Sequence, residues 1–128
     1  MSKHKNNNLS WDVIPYIKEV SGLQVVAKGI MCAEDAILAI QNGADGVYVS
    51  NHGARQLDTT PATIEVLPEI VRAVRSLNSS VPIFFDGGIR RGSDAFKALA
   101  LGADCVMVGR PILWGLASDG QKGVENVL

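Results

Sequence analysis

Cysteine is scarce in this sequence, with only Cys32 and Cys105 in 128 residues. Two are too few for a disulfide framework or a zinc site, and each sits among apolar neighbours as a small buried side chain would. That usage predicts a reducing intracellular setting. No charge of one sign dominates: 12 Lys+Arg stand against 13 Asp+Glu, a formal net charge of -1. A phosphate backbone or an anionic lipid surface calls for a clear cationic excess, so neither nucleic acid nor a membrane is expected as a partner. Long apolar runs are missing too. Stretches such as residues 23–27 and 81–85 fall far short of the roughly 18 residues a membrane span needs. Residues 1–8 are polar, with three consecutive Asn, and lack the apolar stretch of a signal peptide. They are expected to be a disordered tail, His4 within it having no chemical role, and residues 9–128 to form one domain.

What the sequence does contain is a repeat. Residues 25–51 match residues 84–110 without a gap at ten of 27 positions, where chance gives about two. The pairs include Gly29/Gly88, Ala39/Ala98, Gly43/Gly102, Asp45/Asp104 and Val47/Val106. Each copy reads strand, turn, helix, turn, strand. In the first, an apolar run at 24–27 leads to a helix over 33–41, stopped by Gly43, and a strand over 45–49 follows. In the second, a strand over 82–85 precedes a helix capped by Ser93 or Asp94, which Gly102 ends; residues 105–108 form the next strand. Between the copies, Pro61 opens a helix to Leu77 whose apolar face is Ile64, Leu67, Val71 and Val74. A helix over 11–20 precedes the first copy, and a helical stretch follows Pro111.

Four strands that are apolar almost throughout predict burial on both faces and a parallel sheet with helical crossovers. Two α/β architectures fit: a small open doubly wound sheet, or half of a (β/α)8 barrel of the TIM type, whose usual length is about twice this chain. The repeat favours the half barrel. Its two apolar edges then lack neighbours, which predicts self-association or a missing N-terminal half.

In parallel βα architectures, functional groups gather at the C-terminal ends of the strands. There the sequence places Lys28, the run Ser50-Asn51-His52-Gly53-Ala54-Arg55-Gln56-Leu57-Asp58, the run Asp86-Gly87-Gly88-Ile89-Arg90, and Gly109-Arg110. Glycines that bare backbone N–H groups, next to two guanidinium groups at adjacent strand ends, form a phosphate cradle. Plain tight turns with a surface arginine are the bland alternative. His52 can carry a proton near neutral pH, and Arg55 can bind a carboxylate through two parallel hydrogen bonds. Against that stands a capping histidine with Arg55 paired to Asp58. Lys28 is either a functional cation facing the same mouth or a snorkelling surface lysine. Trp114, beside Pro111, Ile112 and Leu113, is expected to pack.

The Ser-Asn-His-Gly-x-Arg-Gln-Leu-Asp run, with Asp-Gly-Gly-Ile-Arg-Arg-Gly from Asp86 and Gly109-Arg110-Pro111, resembles the FMN-dependent α-hydroxy acid oxidase/dehydrogenase family, to which glycolate oxidase belongs. The likeness runs over residues 11–128 and corresponds to strands five to eight of the family's barrel. It implies FMN as cofactor and oxidation of a small (S)-2-hydroxy acid to the 2-oxo acid, with oxygen or another acceptor taking the electrons and peroxide formed in the oxidases. By the same resemblance Lys28 lies by the flavin N1/C2 carbonyl, where a cation stabilises the reduced ring. Ser50 contacts the isoalloxazine, His52 is the base, and Arg55 grips the substrate carboxylate. Asp86, Gly87, Gly88, Ile89, Arg90, Gly109 and Arg110 hold the ribityl phosphate. The family's first half supplies tyrosines and further flavin contacts that this chain does not contain, so it is expected to be inactive alone. The other class of function is a non-catalytic FMN- or phosphate-binding half barrel that self-associates. Full-length eukaryotic relatives are expected in peroxisomes, although Asn126-Val127-Leu128 is not the Ser-Lys-Leu signal.

Overall fold

The computed structural model describes residues 8–77 and 80–128; of the tail expected over residues 1–8, residues 1–7, with His4, lie outside them. A first helix, α1 (Val13–Ser21), precedes β1 (Val26–Ile30), α2 (Ala33–Gln41), β2 (Gly46–Val49) and α3 (Thr63–Ser76). Then come β3 (Ile83–Phe85), α4 (Gly92–Ala100), β4 (Cys105–Val106) and α5 (Arg110–Val127). The repeat's glycines act as expected: Gly43 at φ 87° and Gly102 at φ 105° follow α2 and α4 in the left-handed region that side chains resist.

The four strands are parallel and lie side by side in chain order, β1-β2-β3-β4. A doubly wound sheet reverses its strand order at a switch point, whereas a barrel adds each strand beside the last. The order among the described residues is the barrel's. Helices cover one face of the sheet. Val47 and Val49 of β2 and Ile83 and Phe85 of β3 are fully buried with Leu67, Ile70 and Val74 of α3, joined by Ala36, Ala39 and Ala98 from the flanking helices. Strand periodicity puts the alternate residues on the other face, where the register aligns Lys28, Tyr48, Phe84 and Cys105 in one row. Gly46 sits below that row because a Cβ there would come within 3.0 Å of both the Phe84 ring and Val26.

Several elements depart from the sequence-based expectation. Burial on both faces does not extend to the outer strands: β1 is largely exposed and β4 half-buried, because each has a neighbour on one side only. β1 begins at Val26 rather than residue 24 and carries Lys28 inside it rather than at its end; the backbone bond from Asp45 N–H to Val25 O, 2.8 Å, fixes its entry. β4 ends at Val106 instead of residue 108, although Met107 N–H still reaches Phe85 O at 2.8 Å. Pro61 lies outside α3, while Pro68 lies inside it, five residues after Thr63, where its missing N–H removes one bond to the carbonyl four residues earlier. Ile70 and Thr63, not foreseen on its inner face, are buried. Neither Ser93 nor Asp94 is the cap of α4. Arg91 holds that position, and Asp94, three residues on, accepts the backbone N–H groups of Arg90 and Arg91 at 3.0 Å each. α5 breaks at Asp119 and Gly120, and its two arms pack so closely through Gly115 and Gly123 that a Cβ on either would collide with the other's backbone.

Candidate functional site

The C-terminal ends of the strands surround an open cleft of about 470 Å³. Lys28, from β1, enters it with its ammonium held on three sides. Its Nζ donates to Ser50 Oγ at 2.8 Å, pairs with Asp86 Oδ2 at 3.4 Å and lies 4.6 Å over the centre of the Tyr48 ring. Ser50 is 1% exposed; its hydroxyl takes the Lys28 bond and accepts the His52 N–H at 3.1 Å. The structure thus places Ser50 beneath Lys28 and outside the residues that line the cleft. Burial, and then the charge of Asp86, push the Tyr48 hydroxyl well above a phenol's ordinary value, so it stays neutral.

Beyond β2 the chain coils through His52, Gly53 and Ala54, and both His52 and Arg55 reach the lining. Arg55 is exposed and forms no ion pair with Asp58 among the described residues; Asp58 Oδ1 instead accepts Thr59 N–H at 2.9 Å. From β3 come Asp86, Gly87, Gly88, Ile89 and Arg90, and from the start of α5 Gly109 and Arg110, all on the same cleft. The two neighbouring glycines have different reasons. A Cβ on Gly87, at φ 112°, would collide with Thr63 Oγ1, which donates to Asp86 O at 2.7 Å. A Cβ on Gly88 or Gly109 would meet nothing within 4 Å, so the space beside each is open. Ile89, at 8% exposure, belongs as much to the core as to the lining. The Arg90 guanidinium lies 4.5 Å over the Trp114 ring, and Trp114 is half exposed rather than packed away. Arg110 Nη2 donates to Gly53 O at 2.9 Å, joining the head of α5 to the loop after β2.

Among the described residues, one buried side-chain polar atom has no hydrogen-bond partner: Asp86 Oδ1. A carboxylate oxygen can only accept, so the position calls for a ligand that donates, such as a sugar-alcohol hydroxyl. With the open faces of Gly88 and Gly109 beside two guanidinium groups, the donor set matches a polyol phosphate. No group of His, Cys, Asp and Glu suited to a metal occurs among the described residues. The sequence reading missed Tyr48 and Thr63. Tyr48 was findable, since two residues before Ser50 on a strand means the same face; Thr63 carries no such signal.

The whole chain, residues 1–128, matches the model of the FMN-dependent dehydrogenases. The chain belongs to that family. Its cofactor is FMN, and the fold is that of the family's TIM-type barrels, of which this chain is a part. Mouse 2-hydroxyacid oxidase 1 (Mus musculus) is 57% identical over 121 residues, covering 94% of this chain and 32% of its own length. The L-lactate oxidase of Lactobacillus jensenii is 63% identical over 112 residues, covering 88% and 27%. Among solved structures, a Pediococcus acidilactici protein described as a lactate oxidase superposes with a TM-score of 0.91 at 51% identity, over 98% of this chain and 34% of its own. A mandelate oxidase solved with benzoyl-formic acid gives 0.85 at 47%, over 92% and 34%. The chain spans about a third of the length of the relatives it matches. No described helix is long and apolar enough to cross a membrane.

Proposed function

We propose that residues 9–128 form the C-terminal half of an FMN-dependent barrel that oxidises a small (S)-2-hydroxy acid, of the glycolate or lactate type, to the 2-oxo acid. The observation that carries this reading is the meeting of Lys28, His52 and Arg55 with Asp86, Gly88, Gly109 and Arg110 around one cleft. FMN, when bound, supplies a two-electron acceptor whose reduced form oxygen can reoxidise to give peroxide. The chain's own residues divide the remaining work. Arg55 clamps the substrate carboxylate through its planar fork. His52 takes a proton from the substrate as electrons leave it. Lys28, fixed by Ser50 and Asp86, sets a positive charge where negative charge accumulates on the flavin side. Asp86 Oδ1, Gly88, Gly109, Arg90 and Arg110 would hold the ribityl phosphate.

Mixing the chain with a matching N-terminal half, FMN and glycolate or lactate tests the reading: substrate should bleach the flavin absorbance. Arg110→Ala should weaken FMN binding by about 1–3 kcal/mol, the cost of a charge-assisted hydrogen bond. Unchanged affinity would remove the cradle.

A second reading has its own support in the exposed apolar side chains of the two outer regions, Val20, Leu23 and Val26 near β1 and Phe96, Met107 and Leu113 near β4. In it the isolated chain binds flavin or phosphate without turnover and covers its edges with a second copy. An intracellular setting belongs to both readings. Peroxisomal residence for a eukaryotic full-length form draws on two Arabidopsis thaliana relatives named peroxisomal (S)-2-hydroxyacid oxidases.

A further inference from the structure

The turn that carries His52 is held in an uncommon shape. His52, Gly53 and Ala54 follow one another at φ 56°, 66° and 59°. In that left-handed conformation a Cβ crowds the following carbonyl, so His52 and Ala54 are both strained. Local side chains tie part of the turn: Ser50 Oγ accepts His52 N–H at 3.1 Å, and Asn51 Oδ1 accepts the N–H groups of Gly53 and Ala54 at 3.1 and 3.2 Å. A distant one ties the rest, Arg110, whose Nη2 reaches Gly53 O across 57 residues of sequence. Glycine at 53 is what admits it, since a Cβ there would lie 2.5 Å from the same Nη2. Arg110 is also the first residue of α5 and lines the cleft. A guanidinium has five N–H donors, so the bond to Gly53 leaves others for an anion in the cleft.

We propose that Arg110 is a positioning residue for His52: it latches the strained turn to the head of α5, so that an anion seated against its guanidinium and the shape of the turn stabilise each other. The latch stands on these contacts alone; that the anion is the flavin phosphate and that His52 is the base rest on the function proposed above. Because the coupling is an equilibrium quantity, it acts in both directions: whatever fixes the turn also tightens the anion. In a barrel working on hydroxy acids, this would ready the base only where the cofactor is seated.

Amide hydrogen exchange at residues 52–54 tests the latch in the chain as it is, with no ligand, with FMN, and separately with inorganic phosphate; flavin fluorescence reports FMN occupancy. Arg110→Ala should speed exchange at Gly53 and Ala54 by about fivefold or more, the worth of one hydrogen bond, while the amides of α3 stay unchanged. Saturating FMN should slow the turn's exchange and shift the His52 imidazole resonances in the parent but do neither in Arg110→Ala. Adding Ala54→Gly to that variant should restore protection by relieving the left-handed strain, a rescue that general loss of structure would not allow. Should Arg110→Ala also loosen α3, Arg110→Lys, which keeps the charge and loses the planar fork, decides by its effect on the turn alone. Unchanged exchange at the turn in either well-folded variant overturns the latch, and FMN or phosphate binding without any effect on the turn overturns the coupling. If FMN fails to bind the parent while Arg110→Ala loosens the turn and phosphate tightens it, the latch and its coupling to an anion hold, and what fails is the assignment of that anion to the flavin phosphate in this chain by itself.

Discussion

Asp45 and Asp104 do the same work at the feet of two different strands. Asp45 accepts the Val25 N–H and the Lys18 ammonium, both at 2.8 Å; Asp104 accepts the Ile83 N–H and the Arg75 guanidinium, both at 2.7 Å. Each also donates its own N–H to the carbonyl opposite, Val25 O or Ile83 O, at 2.8 Å. The cation comes in each case from the helix preceding the strand, α1 or α3. The repeated aspartate therefore builds the same strand-entry clamp twice at the end of the sheet opposite the cleft, with Lys18, Arg75 and Ile83 drawn from outside the repeat.

The clamp makes stability depend on acidity. Lys18, with the Val25 N–H, holds the Asp45 carboxyl below its ordinary value. A carboxyl depressed by folding adds stability that is present above its unfolded value, about 3.9, and is lost as pH falls through the lower folded value. Asp45→Asn should lower the Tm at neutral pH, and the gap from the parent should close as the pH drops below about 4. Thermal unfolding followed by circular dichroism across that range checks it; a gap independent of pH would show that the charge is not what matters.

The two adjacent glycines should respond differently to a methyl group. Gly87 and Gly88 both have positive φ, so alanine strains either. At Gly87 the added Cβ also runs into Thr63, a buried residue bonded to the Asp86 carbonyl. Gly87→Ala should therefore cost about 1–3 kcal/mol more than Gly88→Ala in urea unfolding, the usual penalty for overpacking. Equal losses would place the requirement in the backbone alone.

Substrate chemistry should separate His52 from Arg55 in a reconstituted barrel. His52→Ala should slow flavin reduction by about 10² to 10⁴ while FMN still binds. Arg55→Lys should mainly raise KM, because a lysine cannot make the two-pronged grip on a carboxylate. Stopped-flow reduction at several substrate concentrations measures both. Parental reduction rates in the His52 variant would exclude it as the base.

The purified chain should self-associate. β1 and β4 each lack a neighbour on one side, and Phe96, Leu113 and Leu23 stand more than 60% exposed. Covering apolar surface is worth about 25 cal/mol per Å², so light scattering should report a dimer or larger species. A compact monomer that binds no apolar dye and unfolds cooperatively would show that these edges need no cover.

Much of the scaffold was legible in the sequence because its causes are local or periodic. The bounds of α2 follow from one apolar face and a stopping glycine, and the repeat announced equivalent positions that the fold buries alike, such as Ala39 with Ala98 and Ala44 with Ala103. The polar runs after β2 and β3 identified which loops form the cleft. Other features depend on partners far away in the chain, and only the tertiary structure decided them. The repeat already favoured a barrel over a doubly wound sheet, and the strand order, which local pattern does not encode, bears that choice out. The packing reason for glycine at 87, Thr63 seated against it from 24 residues earlier, has no signal in the sequence. Ser50 reads as a cleft residue until packing places it under Lys28. The left-handed turn at His52 contradicts the local preference of two of its three residues. It persists because Ser50, Asn51 and the distant Arg110 together outweigh a strain that the sequence alone would predict the chain to avoid.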